Sequence, residues 1–162
     1  MKESKEVKKE SIKKGKANYS NQGKKNRAAG RRFEAKVREN LENMGWIVAK
    51  WMNTVEYSKN KIVPAKRKYN PFLKALSIGN GFPDFICFKR VEGSEEGNFD
   101  VIGLEVKMNG YLDKVEKDMC IWLLEKRIFS KILIAKAVKK GRKTEVEYID
   151  FLGKYKKDFT VQ

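Results

Sequence analysis

Glu105 and Lys107 lie two residues apart in the segment DVIGLEVKM (100–108), which has the strongest strand pattern in the chain. Because the side chains of a strand alternate, Gly103, Glu105 and Lys107 share one face, and the carboxylate and the ammonium project side by side roughly 7 Å apart. Asp84 follows a glycine-rich turn and opens a short apolar segment, where its carboxylate is placed to meet Glu105. Two convergent carboxylates form a site for Mg²⁺ or Mn²⁺, which prefer oxygen ligands.

A divalent cation at such a site polarises a phosphodiester, activates a bound water and stabilises charge on the leaving oxygen. Lys107 is suited to orient the attacking water or to neutralise the pentacovalent state. Each half of the pattern also has a structural explanation, since Glu105 and Lys107 form an ordinary ion pair and a Pro–Asp pair often marks a turn. The conjunction favours function, because Pro83–Asp84 opens one strand and Glu105-x-Lys107 ends the next.

The composition restricts the chemistry further. The chain has 162 residues and no histidine, with 37 lysines and arginines against 21 acidic residues and a formal net charge of +16. Without histidine there is no Ser-His-Asp triad, no Cys-His pair and no histidine-ligated zinc. Cys87 and Cys120 both lie in apolar segments, so we expect buried, unreactive thiols. The excess of positive charge predicts a polyanionic partner, most often nucleic acid.

The charge is concentrated at the N-terminus. Residues 1–30 carry ten basic and three acidic side chains and almost no apolar periodicity. We interpret residues 1–25 as a flexible basic arm that adds salt-sensitive affinity for phosphates, or alternatively as a solubilising tail. Residues 26–162 are expected to form one domain. The N-terminal segment lacks the apolar core of a signal peptide and no run of 18 apolar residues exists, which predicts a soluble cytoplasmic protein.

The hydrophobic pattern predicts the order helix, three strands, helix, two strands, which is typical of an α/β mixed sheet flanked by helices. The expected helices cover 26–44 and 112 to about 127, and the expected strands cover 46–51, 84–88, 100–108, 131–135 and 144–149. Residues 53–81 form a long connection, with one short helical turn expected around Phe72, Leu73 and Leu76. Asp113 and Glu116 have the spacing of a capping box.

The chain resembles the PD-(D/E)XK nuclease superfamily in two motifs that occur in this element order. The first is Phe82-Pro83-Asp84-Phe85 and the second is Gly103-Leu104-Glu105-Val106-Lys107. The core of that superfamily is αβββαβ, and the resemblance extends from about Asn26 to Val138. Within the superfamily the chain is most similar to archaeal Holliday junction resolvases and VRR-type nucleases. The resemblance therefore implies a restriction-endonuclease-like fold, preceded here by the basic N-terminal arm.

The resemblance also implies roles for individual residues. Asp84 and Glu105, with the carbonyl of Val106, would hold Mg²⁺ or Mn²⁺. Glu34 on the first helix would complete the acidic shell, and Lys107 would activate water. Glu34 has an alternative explanation as an i,i+4 partner of a helix arginine on a solvated face.

A second group of residues is expected to contact nucleic acid. Its basic members lie on the first helix and in the long connection, and each has the alternative of being a solvated surface charge. An aromatic member is expected to stack on bases or to anchor the connection. These candidates are Arg31, Arg32, Lys66, Arg67, Lys68 and Tyr69.

Together these features predict a Mg²⁺-dependent endodeoxyribonuclease that contacts DNA mainly through phosphates and reads little sequence. The resemblance alone implies a branched or junction substrate, a role in DNA recombination or repair, and a homodimer that presents two sites to two strands. One alternative is a non-catalytic DNA-binding module of the same fold, against which the intact Asp84, Glu105 and Lys107 count. The other is an RNA-directed nuclease, since this chemistry does not distinguish the two sugars.

Overall fold

A computed structural model describes residues 3–66, 68–70, 75–77, 81–93 and 97–155 of the chain. Side chains are described from residue 21 onward, except in 68–70 and 75–77. The chain divides into two compact units, Met1–Ala35 and Lys36–Gln162. The described part of the first unit is helical, and the second unit contains all of the described strands.

The first helix, α1, runs from Glu3 to Asn43 and crosses the boundary between the two units. It confirms the helix predicted over 26–44, but it begins 23 residues earlier than predicted, since residues 3–25 are also helical. Lysine, glutamate and alanine favour helix intrinsically. A helix was predicted for residues 26–44 because their apolar periodicity indicates burial of one helix face. Residues 3–25 lack that periodicity, so the pattern did not mark them as helical. The function of residues 1–25 as a flexible phosphate-binding arm stays a prediction.

The second unit contains a five-stranded mixed sheet in the order β1-β6-β7-β8-β9. β7 and β8 pair in parallel and are connected by the crossover helix α2, and the other described pairs of this sheet are antiparallel. This confirms the predicted mixed sheet and the predicted order of its five strands and two helices. The elements are β1 Ile47–Lys50, β2 Asn53–Glu56, a 3₁₀ turn Tyr57–Lys59, β3 Lys61–Pro64, β4 Lys68–Asn70, β5 Ala75–Ser77, β6 Phe85–Arg90, β7 Phe99–Val106, α2 Lys114–Glu125, β8 Lys131–Lys140, β9 Lys143–Asp150 and α3 Phe151–Tyr155.

The connection between β1 and β6 is more ordered than the sequence predicts. It contains two antiparallel hairpins, β2–β3 and β4–β5. The helical turn predicted around Phe72, Leu73 and Leu76 is wrong at Leu76, which lies in β5 and pairs with Tyr69. Phe72 and Leu73 lie outside the described residues. Strand pairing satisfies the backbone of residues 75–77 without needing the periodic apolar face that a helix buries.

The hairpin β2–β3 is held against α2. Val55 is buried in the same apolar cluster as Cys120 and Leu123 of α2. The indole N–H of Trp122 donates to Asn60 Oδ1 at 3.1 Å, where Asn60 closes the 3₁₀ turn with a left-handed backbone (φ 48°). The hairpin therefore covers the sheet face on which α2 lies.

The sheet has a buried layer on each side. On the α2 face the core includes Phe82, Phe129, Ile132 and Ile134. On the opposite face Val48, Cys87, Ile102 and Leu104 are buried, and the last turns of α1 supply Val37 and Leu41. That end of α1 is tied to the sheet by hydrogen bonds from Arg38 to the Val48 carbonyl and from Tyr148 Oη to Asn40. Both cysteines are buried as predicted, and burial raises the pKa of the Cys87 thiol to about 12.

Candidate active site

Asp84 and Glu105 meet where β6 begins and β7 ends. In the antiparallel register Phe85 faces Leu104, which brings the residue before β6 opposite the last residues of β7. The Asp84 backbone N–H donates to Glu105 Oε2 at 3.1 Å, and the Val106 N–H donates to Asp84 Oδ2 at 3.0 Å. Each carboxylate is thus fixed by the backbone next to the other. The expected convergence of the two side chains is confirmed.

Gly81, three residues before Asp84, allows the chain to pass close to the backbone between β1 and β2. A Cβ atom at this buried glycine would lie 2.3 Å from the carbonyl oxygen of Trp51 and 2.6 Å from the nitrogen of Asn53. The Phe82 N–H donates to the Asn53 carbonyl at 2.9 Å, and the Trp51 N–H donates to the Asp84 carbonyl at 3.1 Å. The two ends of the long connection therefore close on each other, and only a residue without a side chain fits at the junction.

The surroundings of Glu105 disfavour its charged form. Glu105 has a relative exposure of 5%, and among the described residues it is the one polar side chain that is buried. Burial, with the negative charge of Asp84 added, raises the pKa of Glu105 to about 8, although the Lys107 ammonium opposes the shift. A buried carboxyl group beside a second carboxylate, with its pKa displaced from the ordinary value, is a feature of functional sites.

Lys107 is held between two carboxylates. Its Nζ lies 3.3 Å from Glu105 Oε1 and donates a short hydrogen bond to Glu116 Oε1. Burial alone would lower the pKa of Lys107, but the hydrogen bond to Glu116 and the charges of both glutamates raise it above its ordinary value. Lys107 is therefore an ammonium at neutral pH, suited to balance negative charge rather than to accept a proton.

Glu116 belongs to this site as well as to the start of α2. Its Oε2 accepts from the Asp113 N–H at 2.9 Å, and its own N–H donates to Asp113 Oδ1 at 2.8 Å, which confirms the predicted capping box. Its other oxygen, Oε1, contacts Lys107. The sequence predicted helix capping as the role of Glu116. Its position in the first turn of the helix that follows the Glu105-x-Lys107 strand was the sequence feature that could have indicated a contact with the site.

A second ammonium approaches Asp84. Lys50, the last residue of β1, has its Nζ 3.7 Å from Asp84 Oδ1 and 4.4 Å from the centroid of the Phe85 ring. The two carboxylates of the site therefore each have one oxygen bonded to a backbone N–H and the other near a lysine. This arrangement shows that the site attracts positive charge.

The donors fit a hard divalent cation but do not form a complete cage. Within the described ranges, no group of three or more histidine, cysteine, aspartate or glutamate side chains is placed to hold a metal ion. The donors brought together are the carboxylates of Asp84 and Glu105, at the end of the strand whose last carbonyl is that of Val106. Mg²⁺ is commonly bound by one or two carboxylates with waters in the remaining positions. Glu34 lies on α1 in the first unit, so its predicted part in the acidic shell stays a prediction.

The predicted nucleic-acid contacts are distributed over both units. Arg31 and Arg32 are exposed on α1, and Lys66 is exposed just after β3. The backbones of Lys68 and Tyr69 lie in β4, while their side chains and the whole of Arg67 lie outside the described residues. Their contacts with nucleic acid stay predictions.

No family model, no curated protein and no solved structure matches this chain. In the described part of the chain, none of the helices combines the length and the apolar character that a membrane span requires. The site's own geometry therefore carries the functional assignment.

Proposed function

We propose that this chain is a metal-dependent endodeoxyribonuclease with a PD-(D/E)XK site on a restriction-endonuclease-like core. The observation that carries the proposal is the convergence of two carboxylates held by backbone hydrogen bonds, from the Asp84 N–H to Glu105 and from the Val106 N–H to Asp84. The Lys107 ammonium lies 3.3 Å from Glu105. The parallel pair β7–β8, joined through α2, supports the αβββαβ order that the resemblance implies.

Each residue of the site has a chemical task in this proposal. Asp84, Glu105 and the Val106 carbonyl would hold Mg²⁺ or Mn²⁺, with Glu34 as a further acidic group. A bound divalent cation supplies a water of lowered pKa and a positive charge for the scissile phosphate. Lys107 keeps its proton and stabilises the negative charge that develops on the phosphoryl oxygens.

The substrate in this proposal is bound through its phosphates. A net charge of +16 gives the chain long-range attraction to polyanions, and Arg31, Arg32 and Lys66 are exposed. Phosphate contacts position a protein on DNA but carry no sequence information, so we propose little sequence readout. Selectivity for branched or junction DNA, and a homodimer that cuts two strands, are proposed on the resemblance.

The test is a cleavage assay on end-labelled linear, flapped and four-way DNA, and on RNA of equal sequence, with Mg²⁺, Mn²⁺ or EDTA. We expect metal-dependent products that disappear with Asp84→Ala and with Glu105→Ala while DNA binding in EDTA persists. Glu125→Ala removes an exposed carboxylate from α2 and serves as the matched control, with unchanged cleavage.

Three other results would contradict the proposal in different ways. Normal cleavage by both carboxylate variants would show that the site lies elsewhere. Tight binding of every DNA without a metal-dependent product would favour the non-catalytic binding module. Faster cleavage of RNA than of DNA would make the chain an RNA-directed nuclease.

A further inference from the structure

The loop that leaves the candidate site presents an aromatic ring to solvent. Tyr111, four residues after Lys107, is 67% exposed. The Nζ of Lys154 lies 4.2 Å from the centroid of this ring, so an ammonium covers part of one face. Two more apolar side chains in the same short stretch, Met108 and Val115, are also exposed. Exposed apolar side chains grouped near a catalytic site indicate a binding surface.

The backbone that carries Tyr111 is held firmly. The Gly110 N–H donates to the Lys107 carbonyl at 2.8 Å, and the Tyr111 N–H donates to Asn109 Oδ1 at 3.1 Å. The Lys154 ammonium, which lies over the Tyr111 ring, also donates to the Gly110 carbonyl. Three hydrogen bonds therefore fix the backbone that carries the ring without burying the ring, which is the arrangement of a preformed contact surface.

Gly110 is needed for this loop. Its backbone is left-handed (φ 73°), and a Cβ there would lie 2.9 Å from Lys136 Cδ. One residue after Tyr111, the Leu112 N–H donates to Tyr155 Oη at 3.3 Å, so α3 braces the other side of the loop. The ring is consequently set one tight turn away from Lys107 by contacts that do not involve the ring's open face.

We propose that Tyr111 is a stacking platform for one unpaired nucleobase beside the scissile phosphate, an inference that rests on the proposed nuclease function. An aromatic ring with an open face stacks on any base, and the adjacent Lys154 ammonium attracts the phosphate that follows that base. In an intact duplex both faces of each base are covered by its neighbours. The platform therefore selects DNA with a single-stranded segment at the cut, such as a flap or an opened junction.

The experiment measures binding in EDTA, with the full chain and two DNAs of equal length, a flap and a blunt duplex. A fluorescent adenine analogue replaces the first unpaired base of the flap. We expect Tyr111→Ala to weaken flap binding by about 5- to 150-fold and to abolish quenching of the analogue, while duplex binding stays unchanged. Tyr111→Phe keeps the ring and should behave as the wild type.

Phe99→Ala is the matched control. Phe99 is a comparably exposed aromatic residue, but it begins β7, roughly 23 Å along the strand from Val106, and should affect neither DNA. An unchanged unfolding midpoint for Tyr111→Ala shows that the loop still folds.

The outcomes separate this inference from the proposed function. If Tyr111→Ala keeps the flap affinity and the quenching of the wild type, the stacking platform is overturned. Metal-dependent cleavage by that variant would still support the proposed nuclease function. An equal loss of affinity for flap and duplex would also overturn the stacking platform, because Tyr111 would then support general binding rather than an unpaired base. If the wild type binds neither DNA, the proposed function and the platform fail together.

Discussion

Replacing Glu105 by glutamine should stabilise the metal-free protein at neutral pH. Burial and the charge of Asp84 raise the pKa of Glu105 from 4.5 to about 8, so the folded protein keeps a proton that the unfolded chain has released at pH 7. At 1.36 kcal/mol per pH unit, the 2.5 units between 4.5 and 7 correspond to about 3 kcal/mol. The free energy of unfolding of the wild type therefore falls as the pH rises from 4.5 toward 8.

Glutamine keeps the shape of Glu105 and can still accept the Asp84 N–H, but it carries no charge at any pH. Because the wild-type carboxyl group is protonated at pH 7, the substitution removes no full ion pair with Lys107, which also keeps Glu116 as its partner. We therefore expect Glu105→Gln to be more stable than the wild type by about 1–3 kcal/mol at pH 7, and equally stable near pH 4.5.

Urea unfolding in EDTA at pH 4.5, 6, 7 and 8 measures the difference, with Glu125→Gln as the exposed control on α2. Saturating Mg²⁺ should raise the stability of the wild type, more so at pH 8 than at pH 6, and should leave Glu105→Gln almost unchanged. A variant that is less stable than the wild type by the same amount at every pH would refute the reasoning. Glu105 would then be an ordinary ion-pair partner of Lys107.

Two further predictions concern the same corner of the fold. Gly81→Ala places a methyl group 2.3 Å from the Trp51 carbonyl oxygen and should destabilise the protein by roughly 1–3 kcal/mol or more, measured as a lower urea midpoint. An unchanged midpoint would show that the two ends of the connection are not in contact. Lys50→Met removes the ammonium 3.7 Å from Asp84 and should tighten Mg²⁺ binding about 2- to 5-fold, as measured by calorimetry. Weaker binding would mean that Lys50 helps to position the Asp84 carboxylate.

The part of the fold that the sequence predicts is the part in which burial leaves a pattern. The five strands of the main sheet and α2 each bury one or two faces, and their bounds fall within a few residues of the prediction except for β8, which extends five residues further. Strands β2 to β5 have three or four residues each, too few for an alternating pattern to be distinguished from a loop. The five-residue α3 was missed for the same reason.

The candidate site was predictable to the extent that it depends on strand register. Alternation places Glu105 and Lys107 on one face, and a hairpin brings Asp84 opposite them, whatever the remaining packing. The contact between Lys107 and Glu116 depends instead on the angle at which α2 leaves the loop. A capping box accounts for one oxygen of Glu116, and nothing in the spacing shows what the second oxygen contacts.

Folding by itself gives no reason for a carboxylate at position 105. The neighbouring strand positions on that face are Gly103 and, across the parallel pair, the fully buried Ile134. An apolar side chain there would avoid both the desolvation of a carboxylate and its repulsion by Asp84. Glu105 is instead fixed by the Asp84 N–H, near the end of a strand, with its second oxygen 3.3 Å from the Lys107 ammonium. A costly group held this firmly is expected where binding or catalysis requires it, and for that reason the pH dependence of stability is as direct a test of the site as cleavage itself.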